Sequence, residues 1–104
     1  MWHGKSISVV LPTNQPPVAS ASGLPLSGTA PMTVTFSSAG SFDPEGAPLT
    51  FSWSFGDGSV SLAANPTHTY TVPGIYSAQL TVSDGTLKTS SSIITVTVAK
   101  LGGL

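Results

Sequence analysis

Asp57 stands between Gly56 and Gly58 in FSWSFGDGS, residues 51–59, directly after three aromatics at every second position. A carboxylate on a glycine-flanked loop can act as a general acid or base, or as a metal ligand. The same spelling also describes a hairpin tip, because Asp and Gly both accept positive φ and alternating runs lie on either side. The chain has three further acids (Asp43, Glu45 and Asp84), two histidines (His3 and His68) and no cysteine. Thiol and zinc–thiolate chemistry are therefore excluded. A hydrolytic triad would need His3 or His68 beside a serine and an acid. His3 is near a terminus, and His68 sits in a Thr-rich run where a wet-face or half-buried histidine is the ordinary outcome. The residues point away from catalysis, with Gly56, Asp57 and Gly58 read as corner geometry.

The elements that must hold these residues are written in period two, and helical spacing is nowhere visible. In MTVTF, Met32, Val34 and Phe36 share one face while Thr33 and Thr35 take the other. LTFSWSF sets Leu49, Phe51, Trp53 and Phe55 against Thr50, Ser52 and Ser54. YSAQLTVS sets Tyr76, Ala78, Leu80 and Val82 against Ser77, Gln79, Thr81 and Ser83, and IITVTV ends the series with Ile94, Val96 and Val98. PVASASG (17–23) and HTYTV (68–72) read as weaker strands. One wet and one dry face per strand is what antiparallel sheets in two layers require. Gly and Pro punctuate at 23–31, 44–48, 56–58, 73–74 and 85. The expected fold is all-β, an immunoglobulin-like antiparallel β-sandwich of about seven strands. Trp53 fits the buried tryptophan of its central strand, and Tyr76 stands where a tyrosine corner would. With no cysteine pair, packing must replace the disulfide.

Composition narrows the function. At 104 residues the chain is one domain around a single core. Charged residues make up 7%, against about 25% in an average domain, while Ser and Thr are close to a third. Net charge is −1 with no arginine, which excludes a phosphate-tracking surface and hence nucleic acid. No apolar run approaches the roughly 18 residues of a membrane helix. The apolar stretch from Ile7 to Leu11 is too short for a secretion signal, so the expectation is a piece of a longer protein or another route of export.

FSWSFGDGS, together with NPTHTY, PGIYSAQLTVSDG and SFDPEGAPLT, resembles a PKD (polycystic kidney disease) domain from about Asn14 to Val98. The family signature W-D-F-G-D-G appears with Ser54 in place of the first aspartate, on the wet face by parity. The resemblance implies an extracellular or cell-surface β-sandwich that acts as a spacer or contact module while another domain does the chemistry. The division expected is an N-terminal strand over 1–13, the sandwich over 14–98 and a tail over 99–104.

In an immunoglobulin-type sandwich the loop holding Asp43 and Glu45, the loop holding Asp84 and the approach to the first strand with Asn14 share one end. Asp57 belongs at the other. Three carboxylates beside an amide oxygen are the hard ligands calcium takes. Calcium-binding members that this chain resembles use the corresponding positions, which here are Asn14, Asp43, Glu45 and Asp84. The alternative is that Asp43 and Asp84 only cap Asx turns, and the sequence leaves both open. Glycosidase chemistry, which needs two carboxylates across a cleft, has no evident groove in so small a sandwich.

Residues 5–13 read as a further strand, apolar on both faces, able to extend its own sheet or to complete that of another copy. Lysine, the usual guard of a sheet edge, occurs only at 5, 88 and 100. The leading expectation is a non-catalytic extracellular module for adhesion, spacing or contact with protein or polysaccharide. The rivals are a self-assembling subunit joined by N-terminal strand exchange, and an accessory substrate-binding module of a secreted hydrolase.

Overall fold

The computed structural model describes residues 14–100, and the strand expected over 5–13 lies outside them. Among the described residues nine strands form: β1 (Ser22–Leu24), β2 (Ser27–Thr29), β3 (Met32–Ser37), β4 (Thr50–Ser54), β5 (Val60–Ser61), β6 (Thr67–Tyr70), β7 (Gly74–Ser83), β8 (Lys88–Ser90) and β9 (Ile94–Ala99). No helix interrupts the described residues. The count exceeds the expected seven because three pieces of two or three residues, β2, β5 and β8, are too short to show a period. The weak strand expected over 17–23 splits into an isolated bridge from Val18 to Phe42 and the short β1. The last strand runs to Ala99, one residue into the expected tail.

The strands make two sheets, β1-β3-β6 and β2-β9-β7-β4-β5, with β8 beside the far half of β7. All pairings are antiparallel except β2 with β9. Alternation dictates what lies between the layers. Met32, Val34 and Phe36 come from one sheet and Trp53, Ala78, Leu80, Val82, Ile94, Val96 and Val98 from the other, all buried. Phe36 meets Trp53 at 5.0 Å and Phe55 at 5.2 Å between ring centroids, both tilted. Such pairs add about 0.5–1.5 kcal/mol beyond area burial. The indole N–H of Trp53 donates to the Ala64 carbonyl at 3.1 Å, so the fully buried ring leaves no unpaired donor.

The two ends of the sandwich differ. Thr50 pairs with Ser83, which brings the approach to β4 and the turn after β7 to one end. Asn14 reaches the same end through Asp84. The 55–59 corner and the turn before β7 lie at the other, where Gly74 pairs with Val98 and the chain leaves after β9.

At that far corner Asp57 does not take positive φ, contrary to the Asp-Gly hairpin expected; Gly56 (φ +86°) and Gly58 (φ +93°) do. The corner is longer than a two-residue turn, since Phe55 N–H donates to the Ser59 carbonyl. Gly56 is constrained twice, because a Cβ there would lie 2.6 Å from the Ser77 carbonyl oxygen and 2.7 Å from its nitrogen. Nothing lies within 4 Å of the equivalent point on Gly58. Asp57 accepts from Ser59 N–H at 3.0 Å and meets His68 Nε2 at 2.7 Å. The His68 ring stacks on Phe55 (4.2 Å, 3°) and takes the edge of Tyr70 (4.6 Å, 88°). Tyr70 in turn donates its hydroxyl to the Phe55 carbonyl at 2.8 Å. Burial, with smaller contributions from Asp57 and Tyr76, pushes the Tyr70 hydroxyl up to about 12. Burial also works against the Asp57 charge, but the hydrogen bonds from His68 and Ser59 outweigh it and hold this carboxyl below the usual range.

Two predictions follow from this corner. Gly58→Ala should cost about 1–2 kcal/mol for its φ alone, whereas Gly56→Ala must also displace the β7 backbone and should cost more than about 3 kcal/mol. Urea denaturation of the two variants measures the difference. Because the Asp57 pKa is depressed on folding, its stabilisation is present above the unfolded value of about 3.9 and is lost as pH falls through the folded value. Asp57→Asn should therefore flatten the acid side of a melting-temperature profile while lowering the neutral plateau.

Candidate functional site

The near end of the sandwich holds the acids. Asp43 follows the bridge of Phe42 to Val18 and begins the turn into β4, and Asp84 begins the turn between β7 and β8. Asp43 is 8% exposed; its Oδ2 accepts from Glu45 N–H at 2.8 Å and Ala47 N–H at 3.0 Å. Its Oδ1 is buried with no hydrogen-bond partner among the described residues. Asp84 uses Oδ1 for Thr86 and Leu87 N–H, both at 2.8 Å, and Oδ2 for the Asn14 side-chain amide at 3.0 Å. The Leu87 and Thr86 amides hold its carboxyl below the usual carboxylate range, helped by the Asn14 amide. Glu45 turns elsewhere, with both oxygens 3.3 Å from Gln15 N–H.

Asn14, Asp43 and Asp84 thus gather, with Glu45 on the residue next to Asn14. Both aspartates close Asx turns, and these bonds occupy one oxygen of each. For a hard cation the chemistry fits in one respect, a buried carboxylate oxygen left unpaired beside a second carboxylate. It fits less in another: among the described residues no three His, Cys, Asp or Glu side chains form a metal-holding group.

The remaining candidates take structural positions. Trp53 is at the centre of the core, and Tyr76 is half-buried with its hydroxyl donating to the Val72 carbonyl four residues upstream. Gly56, Asp57 and Gly58 form the far corner, and the contact of Asp57 with His68 went unforeseen. Sequence spacing gave no hint of it, since the two residues are 11 apart, with β5 and a loop between them whose path cannot be read from period two. Also unforeseen is a shallow cleft on the outward face of β4, β7 and β8. Its signal was present as the hydroxyls on the wet face of LTFSWSF and YSAQLTVS. No described helix is long and apolar enough to cross a membrane.

Comparison with known proteins places this geometry. The family model described as "PKD domain" matches residues 14–98. A microbial collagenase of Vibrio alginolyticus is 44% identical over 70 residues, which is 67% of this chain and 9% of the collagenase. The chain therefore spans about a tenth of that relative's length. Among solved structures, carbohydrate-binding modules of the β-sandwich superfamily align with a TM-score of 0.78 at 28% identity, over 86% of this chain and 37% of theirs. The PKD1 domain of Vibrio anguillarum Epp aligns with a TM-score of 0.65 at 29% identity, over 84% of this chain and all of that domain. The family model covers nearly all of the described sandwich, and the chain is a member of the PKD domain family, a non-catalytic immunoglobulin-like β-sandwich.

Proposed function

We propose that the chain is a spacing and contact module of a larger extracellular hydrolase, holding its polymeric substrate or matrix while a separate domain cuts. One observation carries this reading: the sandwich is entered at the Asn14 end and left beyond Ala99 at the opposite end. A module threaded in this way sits in series between neighbours and keeps both sheet faces open. The collagenase relative, of which the matching part is a small fraction, supports a place inside a longer protein. Those open faces carry hydroxyls in place of charges, as contact with a neutral or weakly charged polymer favours. The test is co-sedimentation of the 104-residue chain with insoluble collagen and with a panel of insoluble polysaccharides. Retention on at least one, with no fragments released from it, is expected; failure to sediment with any of them overturns the contact reading.

A second reading concerns the near end, where the unpaired Asp43 Oδ1 favours calcium. Asn14, Asp43 and Asp84 would hold the ion, and Glu45 would join by releasing Gln15. Calcium would supply the positive charge that ties the entry segment to the two turns. Extracellular modules bind calcium at about 10⁻⁴–10⁻³ M. At tenfold excess over such a constant the ion adds about 1.4 kcal/mol, which raises the melting temperature by several degrees. Calorimetry on EDTA-stripped protein should show heat on millimolar calcium and a higher melting temperature, both lost in Asp43→Asn. The absence of either response in the unmodified chain removes this reading.

A further inference from the structure

The cleft on the outward face of the larger sheet has a volume of about 390 Å³, within the range of small-ligand sites. Four of its residues carry hydroxyls, Thr50, Ser52, Thr81 and Ser83, and Phe51, Leu62 and Lys88 complete the lining. The register explains how they meet. Thr50 is opposite Ser83, which is opposite Lys88, and Ser52 is opposite Thr81, which is opposite Ser90. Two rungs of the sheet thus run hydroxyl to hydroxyl and end at the β8 edge. Thr81 and Ser90 already exchange a hydrogen bond at 3.1 Å, which fixes one end of the second rung.

Three properties define what such a cleft can hold. First, the β4–β7 and β7–β8 ladders use the backbone groups beneath it, so an extended peptide finds no main-chain partners there and cannot add as a strand. Second, hydroxyls both donate and accept, and so do those of a sugar ring, whose C–H face packs against an apolar wall such as Leu62 (78% exposed). Third, no carboxylate lines the cleft, and the sole contact between a carboxylate and a basic side chain among the described residues is the distant Asp57–His68 one. The Lys88 ammonium is therefore available to an anion from outside. From this set we infer that the cleft is a binding site for a carboxylate-bearing sugar chain, a polyuronate. Ring hydroxyls engage Thr50, Ser52, Thr81 and Ser83, one ring face lies on Leu62, and a uronate carboxylate meets Lys88.

This assignment rests on the contact reading above. The experiment is affinity electrophoresis of the unmodified chain and of Lys88→Ala, Leu62→Ser and Thr81→Val through gels holding polygalacturonate, alginate, hydroxyethyl cellulose or gelatin. Melting temperatures establish that each variant is folded. Retardation is expected in the two polyuronate gels, weaker in hydroxyethyl cellulose, and reduced by raising NaCl. Lys88→Ala should weaken polyuronate binding about fivefold, the upper end for a solvated ion pair, and Leu62→Ser and Thr81→Val should weaken it without altering its salt dependence. Retardation that none of the three variants changes overturns the cleft assignment and leaves the contact reading standing. Retardation by gelatin alone, lost in the same variants, assigns the cleft to a peptide and likewise overturns the polyuronate. No retardation in any of the four gels removes the assignment, while the sedimentation panel judges the contact reading separately.

Discussion

With no cysteine to cross-link them, the two sheets stay together because Phe36 of one presses on Trp53 and Phe55 of the other. Every other feature hangs from that contact. Phe55, the last aromatic before the corner, offers its ring to His68 and its carbonyl to Tyr70, so β6 of the smaller sheet is anchored to the end of β4 in the larger. Tyr70 then lies against Tyr76 at 4.5 Å, which carries the packing into β7. A run of aromatics through the middle of the sandwich does the work that a disulfide performs in many related folds.

A surface almost without charges has to satisfy water and its own side chains by other means. Hydroxyls do so here. On the smaller sheet Thr33 and Thr69 exchange a hydrogen bond at 2.8 Å, and Thr35 stands opposite Thr67. On the larger sheet Thr81 and Ser90 repeat the arrangement. Cross-strand pairs of this type stabilise a sheet modestly, and they keep each outward face β-branched, polar and nearly neutral. The acids are spent on turns: Asp43, Asp57 and Asp84 each accept a backbone N–H from two residues further along.

The layered fold was legible in the sequence because period two survives in four long runs, and in each the predicted dry face is the one that is buried around Trp53. Leu49 and Phe51 of LTFSWSF and Tyr76 of YSAQLTVS stay partly open. What could not be read were elements shorter than a period and contacts made by path. The two or three residues of β2, β5 and β8 acquire strand geometry from neighbours already in place. Asp57 was readable as a corner residue but not as the partner of His68, and Asp43 was readable as a turn former but not as one with an idle buried oxygen. Both depend on where loops travel in space, which local spacing does not encode. The positive φ expected at Asp57 falls on the glycines beside it because these pay no Cβ penalty.

The parallel pair has a mechanical meaning. β2 runs parallel to the last three residues of β9, both toward the exit end, so tension applied along the chain would draw the two in opposite directions along their shared length. Their rungs, together with the Leu26–Thr97 and Ala30–Ala99 bonds that flank them, would be loaded side by side in shear instead of being unzipped one after another. The clasp between the first and last parts of the domain is therefore placed to resist a pull on the two ends of the sandwich.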